Sequence, residues 1–322
     1  MDNKYSYTAA GSIPLKLVRH STLERFRITK KIEPVHVQLC PTNKCNLRCE
    51  FCSCKNVDKD KELSFSKLTR IAANLKKLGT KAVTITGGGE PLMHDSISQI
   101  ISLFNDLDIQ VGLVTNGFLL DQLNQDAMSR LTWCRISCSD EIDFKGYLYE
   151  PMEEYKNVDF AFSYVVTEFF KPENLAAFID YANKKNFSHV RVVSDLIDLD
   201  NVPSMEVVKN VKSVVDDRKV IYQERREYTK GSKRCYISLL KPLVAADGKV
   251  YPCCGVQYAS MYNGGDLSFP ERMSMGDASS FESLKSALFE PFDGSDCDKC
   301  YYEGYNEILA AIDGDIKHGE FL

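Results

Sequence analysis

The sequence predicts an α/β fold: a partial (β/α)6 parallel barrel over residues 34–224, preceded by an N-terminal extension (1–33) and followed by a small loop-rich domain (225–322). Two observations carry this reading. Apolar, β-rich runs alternate with helical stretches, and strands separated by crossover helices pair in parallel with right-handed connections. Beyond Glu224 that alternation stops, periodicity fades, and glycine and proline become frequent. Six strand–helix units fall short of a closed eight-fold barrel, so an open, curved one is expected. By analogy with complete barrels, the chemistry belongs at the C-terminal ends of its strands.

The elements follow in order. An amphipathic helix is expected around Leu15 to Arg27. Strands are expected at Val35–Leu39, Ala82–Thr86, Ile109–Thr115, Trp133–Ser139, Val158–Val166 and His189–Ser194. Between them, helical periodicity covers Ser64–Leu78, Ser96–Leu107, Leu119–Arg130, Glu173–Lys185 and Met205–Val215, with a poorer candidate at Pro151–Lys156. Residues 225–235 are charged and read as a connector. A segment as poor in regular packing as the remainder needs a staple, and it carries five cysteines between 235 and 300.

Composition narrows the class. The chain has 322 residues, 44% hydrophobic and 26% charged, with a net charge of −5, which suits a globular protein and not one built on an overall basic field for nucleic acid. No apolar run is long enough to span a membrane, and the first thirty residues lack a secretory h-region, so a cytoplasmic protein is expected. Cysteine is the outlier, with 12 in the chain. Disulfide frameworks belong to small secreted domains, whereas clustered thiols in a reducing compartment point to metal.

The first cluster directly follows the first strand: Cys40-Pro-Thr-Asn-Lys-Cys45-Asn-Leu-Arg-Cys49-Glu-Phe-Cys52. Three thiolates at C-x3-C-x2-C spacing on one loop can hold three irons of a cubane, leaving the fourth open to the amino and carboxylate groups of a methionine moiety. Structural zinc is the alternative, with Cys40 or Cys54 as fourth ligand. The second strand then ends in Thr86-Gly87-Gly88-Gly89-Glu90-Pro91-Leu92. Consecutive glycines at a strand end let the backbone approach a ligand closely. Each element alone is ambiguous; together, one strand apart in a parallel barrel, they favour the cluster.

The Cys45/Cys49/Cys52 loop, with Phe51 before its last cysteine, resembles the signature of the radical S-adenosylmethionine superfamily, and Gly88-Gly89-Glu90-Pro91 resembles its methionine-amino-group motif. The likeness continues through Val114-Thr115-Asn116-Gly117, Arg135-Ile136-Ser137, and Val165-Val166-Thr167 with Asn174-Leu175. Many relatives read Ser-x-Asp where this chain has Ser137-Cys138-Ser139-Asp140, so Ser137, Ser139 and Asp140 all stand as ribose or carboxylate contacts. The resemblance implies a [4Fe–4S] cluster on Cys45, Cys49 and Cys52. It also implies S-adenosylmethionine held near Phe51, Gly87 to Pro91, Thr115, Asn116 and Arg191. Reductive cleavage would yield a 5′-deoxyadenosyl radical that takes a hydrogen from substrate, with a flavodoxin or ferredoxin as reductant.

The second cluster comprises Cys235, then Gly248-Lys-Val-Tyr-Pro-Cys253-Cys254, then Cys297-Asp-Lys-Cys300. Spacing alone divides evenly between four-thiolate zinc and an iron–sulfur cluster. The run C-x12-G-x4-C followed by C-x2-C resembles the start of the auxiliary-cluster extension called SPASM. No cysteine follows Cys300, which fits the shortened "twitch" form with one auxiliary [4Fe–4S] cluster on Cys235, Cys253, Cys297 and Cys300. Cys254 is a spare thiol: an alternative ligand, a hydrogen-atom donor, or a buried small residue.

Other residues weigh less. Cys134 and Cys138 share one face of the fourth strand and read first as core, with Cys138 the better catalytic candidate. His94 reads as supporting or superficial, Asp195 as a weak contact at the sixth strand's end, and Lys30-Lys31 and Arg225-Arg226 as solvated. The expectation is therefore an oxidising radical enzyme acting on a small molecule or peptide. The short N-terminal extension, too small for a leader-recognition domain, tilts this toward a small substrate. A redox-neutral epimerase, returning hydrogen from Cys254 or Cys138, or a crosslinking maturase is the alternative within the class. A zinc-binding structural or regulatory protein is the alternative outside it, and the Gly88–Pro91 motif has no part in it.

Overall fold

The computed structural model describes residues 22–29, 33–141, 155–195, 205–209, 219–223, 229–257 and 269–313, with Lys16, Lys31, Ile197 and Pro203 individually. Its parallel strands are β1 (His36–Leu39), β2 (Ala82–Ile85), β3 (Gln110–Thr115), β4 (Trp133–Cys138), β5 (Asp159–Val166), β6 (His189–Ser194) and β7 (Val220–Gln223). Helices α1 (Thr22–Thr29), α2 (Phe65–Lys77), α3 (Ile97–Asp106), α4 (Gln125–Ser129), α5 (Pro172–Lys184) and α6 (Met205–Lys209) precede or connect them. The sequence runs on into α7 (Ile237–Leu240), β8 (Leu243–Val244), β9 (Lys249–Tyr251), α8 (Phe269–Arg272), β10 (Gly276–Asp277), α9 (Phe281–Ala287) and α10 (Glu303–Asp313). All the strands form one open sheet in the order β10-β9-β8-β1-β2-β3-β4-β5-β6-β7. This is the partial α/β barrel that the alternation predicts.

Strand periodicity decides what faces where. Register aligns Leu39, Ile85, Leu113, Cys134 and Phe160 in one row. These side chains are buried in the core beneath the helices. The intervening row, Gln38, Thr84, Gly112 and Trp133, occupies the opposite, inner face. Helix α2 illustrates the covering layer. Ser64 caps it by accepting from the Lys67 amide, and Leu68, Ile71, Ala72 and Leu75 are buried at helical spacing. It stops where Thr80 N donates to Leu75 O (3.1 Å) and Gly79 N to Lys76 O (3.0 Å), with Gly79 at φ 85°.

Three features differ from expectation. The Leu119–Arg130 helix is two pieces, a 3-10 turn (Leu120–Gln122) and α4, because Asn124 starts a new helix by accepting from Ala127 N at 2.8 Å. A seventh parallel strand, β7, was not expected; it pairs with β6 from Val190↔Val220 to Val193↔Gln223. Residues 229–235 are no simple connector. They run antiparallel to 292–300, with Gly231 N donating to Cys297 O (2.8 Å) and Cys235 N to Phe292 O (2.9 Å). Part of the expected 15–27 helix and residues 151–154 and 210–215 of two others lie outside the described residues.

The C-terminal segment joins the barrel sheet directly. Strand β8 pairs in parallel with β1, Gln38 N donating to Pro242 O (3.0 Å) and Cys40 N to Val244 O (2.9 Å). Helix α1 anchors against the same segment, since buried Phe26 packs edge-on against Tyr236 at 5.7 Å. No helix among the described residues is long and apolar enough to cross a membrane.

Candidate functional site

The cysteine loop leaves the C-terminal end of β1 and interlocks with the glycine loop leaving β2. A Cβ on Gly88 would overlap Asn43 Oδ1, and one on Gly89 would overlap the backbone of Asn43 and Lys44. Glu90 N donates to Lys44 O at 2.8 Å, closing the contact. The glycines are therefore required first for loop-on-loop packing. Lys59 Nζ ties the same junction, donating to Cys54 O (3.0 Å) and Gly88 O (3.2 Å).

Glu90 braces the third loop. Its buried carboxylate accepts from Thr115 Oγ1 (2.6 Å), Asn116 N (2.7 Å) and Leu92 N (3.1 Å). Burial holds its pKa above the ordinary carboxylate range, and those three bonds oppose the shift. Asn116 Nδ2 in turn donates to Asn46 Oδ1 (2.7 Å), inside the cysteine loop. Thr115 and Asn116 thus serve as cross-links, and Pro91, buried, leads the 3-10 turn that follows Glu90.

The five thiols of this region divide by environment. Cys45 is exposed and Cys49 and Cys52 are half-buried, whereas Cys40 and Cys54 are buried. Cys40 accepts from Gln257 Nε2 (3.2 Å), and burial pushes its thiol up to about 12. Cys54 donates to Gly87 O (3.4 Å), and a hydrogen bond between Cys54 and Cys52 raises the first thiol and lowers the second. Cys49 is pushed up to about 12 by burial and by Cys52 and Cys45 nearby. Three neighbouring soft donors on the outer side of one loop fit a thiolate-ligated iron–sulfur cluster. Phe51 is half-buried among them. Among the described residues, no three His, Cys, Asp or Glu side chains close around the single point that one metal ion would occupy.

The candidates on later strands separate by face. Ser137, in register with Ser163 and Arg191, lies on the inner face, and Arg191 Nη2 donates to Ser163 Oγ at 2.7 Å. Ser139 is buried and accepts from Glu141 N (3.2 Å). Asp140 turns to α5: it accepts from Asn174 Nδ2 (2.6 Å), Lys171 N (3.1 Å) and the Tyr164 hydroxyl. Cys134 and Cys138 are fully buried on the helix-facing side, where burial raises both thiols. His94 is structural, its Nε2 on Leu63 O (2.7 Å) and its Nδ1 accepting from Ser96 N (3.1 Å). Asp195 caps its own turn through Ile197 N (2.8 Å).

The C-terminal thiols come together from three places. Antiparallel bridges set Cys235 opposite Phe292 and Cys300 opposite Thr229. The turn at Gly294 brings Cys235 and Cys297 together, since a Cβ there would meet Cys235 Cβ at 3.5 Å and Cys297 Sγ at 3.9 Å, and Cys253 follows β9. Burial and mutual repulsion raise them together: Cys235 to about 11, with Cys300 beside it, and Cys297 to about 12, with Cys235 and Cys300 beside it. Cys253 is raised by burial and then by Cys254, Cys235 and Cys297. Gly231 is needed here, because a Cβ would meet Gly294 O and Cys297. Cys254 lies beside Cys253, its Sγ 3.9 Å from the Tyr302 hydroxyl.

Sequence reasoning missed Asn43, Asn46, Lys59 and Gln257. The two asparagines lie within the cysteine motif and were open to inspection. Gln257 follows Cys254 by three residues and carried no signal, yet its Nε2 bridges Cys40 Sγ (3.2 Å) and Gly87 O (3.3 Å).

Residues 39–139 match the family model described as the radical SAM superfamily. The chain carries a radical SAM domain, whose cofactors are a [4Fe–4S] cluster and S-adenosylmethionine. Among curated relatives, GTP 3′,8-cyclase of Staphylococcus carnosus (strain TM300) is 38% identical over 111 residues, 31% of this chain and 32% of the cyclase. The cyclase of Staphylococcus aureus (strain Mu3) is 37% identical over 100 residues, 28% of this chain and 29% of its own length. The matched stretch thus spans less than a third of each relative. Among solved structures, Streptococcus suis SuiB bound to precursor peptide SuiA has a TM-score of 0.61 at 13% identity, covering 94% of this chain and 72% of SuiB. The anSMEcpe enzyme with bound AdoMet and Kp18Cys peptide has a TM-score of 0.53 at 17% identity, covering 78% of this chain and 80% of that one. At these identities the structures share the fold.

Proposed function

We propose that this radical SAM enzyme abstracts a hydrogen from a small-molecule or peptide substrate and completes a net oxidation with the help of one auxiliary [4Fe–4S] cluster. The observation that carries the reading is the three-loop interlock, in which the Cys45/Cys49/Cys52 loop, the Gly87–Glu90 loop and the Thr115–Asn116 turn are bolted together by Glu90. When bound, the cluster and S-adenosylmethionine supply an electron and a reactive carbon radical.

The chain's own residues do the rest. Cys45, Cys49 and Cys52 would hold the cluster. With Gly87 O occupied by Gln257 and Cys54, the glycine loop is fixed in one orientation before any ligand arrives. Ser137 offers a hydroxyl on the inner face beneath that loop. Cys235, Cys253, Cys297 and Cys300 would hold the auxiliary cluster, a role their convergence supports, and a flavodoxin or ferredoxin would deliver electrons. The SuiB and anSMEcpe likenesses favour a peptide, and the cyclase match a small molecule.

The test is anaerobic reconstitution followed by reduction, addition of S-adenosylmethionine and assay of 5′-deoxyadenosine. About eight irons per chain are expected, and about four would point the C-terminal thiols to zinc. Zinc without iron or sulfide at both sites would end the enzyme reading. Once a substrate is in hand, turnover in deuterated water distinguishes the outcomes. One solvent deuterium in a product with no new unsaturation would replace oxidation by epimerisation.

A further inference from the structure

The Gly87–Gly88 peptide is held from the C-terminal segment. Gln257 Nε2 uses both its hydrogens there, donating to Gly87 O (3.3 Å) and to Cys40 Sγ (3.2 Å). The Gly88 amide bonds the same sulfur, so one peptide unit and the Cys40–Gln257 pair close a ring. The next carbonyl, Gly88 O, is held instead by Lys59 of the cysteine loop at 3.2 Å. Gly87 needs such a clamp. The loop doubles back there, since a Cβ on Gly87 would fall 1.7 Å from Gly89 O. A peptide between two glycines meets little steric resistance to turning over, and turning it would redirect the groups on either side.

Gln257 is placed by the residues that follow Cys253. Cys254–Gln257 form a single 3-10 turn. Its amides reach back to Cys253, Gly255 N donating to Cys253 Sγ (3.3 Å) and Val256 N to Cys253 O (3.4 Å). Val256 packs beside Cys40, Leu243, Tyr251 and Met273. Four residues with the poorer bonds of 3-10 geometry depend on what holds their ends. One end is Cys253, in the company of Cys254, Cys235 and Cys297. The other is the Gln257 amide on the glycine loop. A sulfur fixed by metal would therefore fix the amide bonded to it, and with it the turn.

We propose that Gln257 couples the two cysteine sites: metal held at Cys235, Cys253, Cys297 and Cys300 fixes the 253–257 turn, the turn seats Gln257 on the Gly87–Gly88 peptide, and the glycine loop binds S-adenosylmethionine more tightly. This rests on the proposed reading of the C-terminal thiols as a metal site, and it holds for an iron–sulfur cluster or for zinc. Gln257 is a positioning residue, acting through the loop. The coupling is reciprocal, so S-adenosylmethionine must steady the turn by the same factor. The consequence is an order of assembly, in which a chain lacking its C-terminal metal holds the cofactor poorly.

The experiment is calorimetric titration of S-adenosylmethionine into the full chain, reconstituted and unreduced, with iron, sulfide and zinc counted in every sample. Wild type, Gln257→Ala, Cys297→Ser and the double variant form a cycle. Each single change should weaken binding about fivefold, and the double variant should bind like either one, because the link is already cut. Gln257→Glu, with the same shape but no N–H to offer, should match Gln257→Ala. Effects that multiply in the double variant overturn the proposal. So does a Cys297→Ser protein that has lost its C-terminal metal and still binds like wild type. Wild type with about four irons and no zinc overturns the metal reading and the coupling together, whereas full metal without coupling sinks the coupling alone. If Cys297→Ser does not fold, hydrogen exchange decides. S-adenosylmethionine should slow exchange over residues 253–257 in wild type and not in Gln257→Ala; equal slowing in both, or in neither, overturns the proposal.

Discussion

The two cysteine sites are built in opposite ways. The N-terminal one takes its three candidate ligands from eight consecutive residues, Cys45 to Cys52, on a loop gripped by the ends of β2 and β3. The C-terminal one collects four thiols from segments spread over residues 235–300, held by short bridges and turns rather than by long elements. The first site is positioned by the fold. The second sits on loops of a segment that lends Tyr236, Leu239, Val250 and Leu284 to the main apolar core and keeps a small cluster of its own at Cys40, Leu243, Tyr251, Val256 and Met273.

Mutating each site should break them differently. Cys45/Cys49/Cys52→Ala should abolish 5′-deoxyadenosine formation while leaving the melting temperature of the barrel nearly unchanged, read by calorimetry of the metal-free proteins. Cys297→Ser should lower iron from about eight to about four per chain and make residues 229–257 and 269–313 protease-sensitive. Equal losses of stability in the two variants would erase the contrast.

The interlock predicts a steric asymmetry among the glycines. Gly89→Ala pushes a methyl into backbone of Asn43 and Lys44, which cannot rotate aside, and should cost about 3 kcal/mol in denaturant unfolding. Gly304→Ala, at a helix position with open space around it, should be neutral or slightly stabilising. Gln257→Ala tests whether the regions communicate. It removes two hydrogen bonds and should cost about 1 kcal/mol, and it should weaken S-adenosylmethionine binding to the reconstituted cluster a few-fold without changing iron content.

The smallest effect is a pH dependence. Glu90 has a raised pKa in the fold, so the folded state holds its proton to higher pH than the unfolded chain does. Wild-type stability should fall relative to Glu90→Gln as pH rises from the unfolded carboxylate pKa, about 4.3, to the raised folded value, and then level off. A flat difference across that window would mean that the hydrogen bonds from Thr115, Asn116 and Leu92 cancel the burial.

Much of the barrel was legible because its signals are local. Runs such as His189–Ser194 and Phe65–Lys77 announce their period within a dozen residues, and the cysteine and glycine motifs are contiguous. What the sequence hid was pairing at long range. β7 is four residues set after a charged stretch, and 229–235 carries no alternation to betray its partner at 292–300. Side-chain direction was equally hidden. Cys138 and Ser137 are adjacent, and register sends one beneath the helices and the other inward. Asp140 looked available until Asn174, Lys171 and Tyr164 were seen to occupy it.

The pairing of β8 with β1 has a consequence for how the protein is made. β1 carries the cysteine loop at its end, and its neighbour on one side is β2, synthesised soon after. The neighbour on its other side is encoded some two hundred residues later. At ordinary translation speeds of about 5–20 residues per second, the nascent β1 edge stays bare on the order of ten seconds or longer. During that interval it is open to pairing with other chains. Growth of the chain thus imposes a clock: a cell making this protein must shield that edge until β8 arrives to cover it.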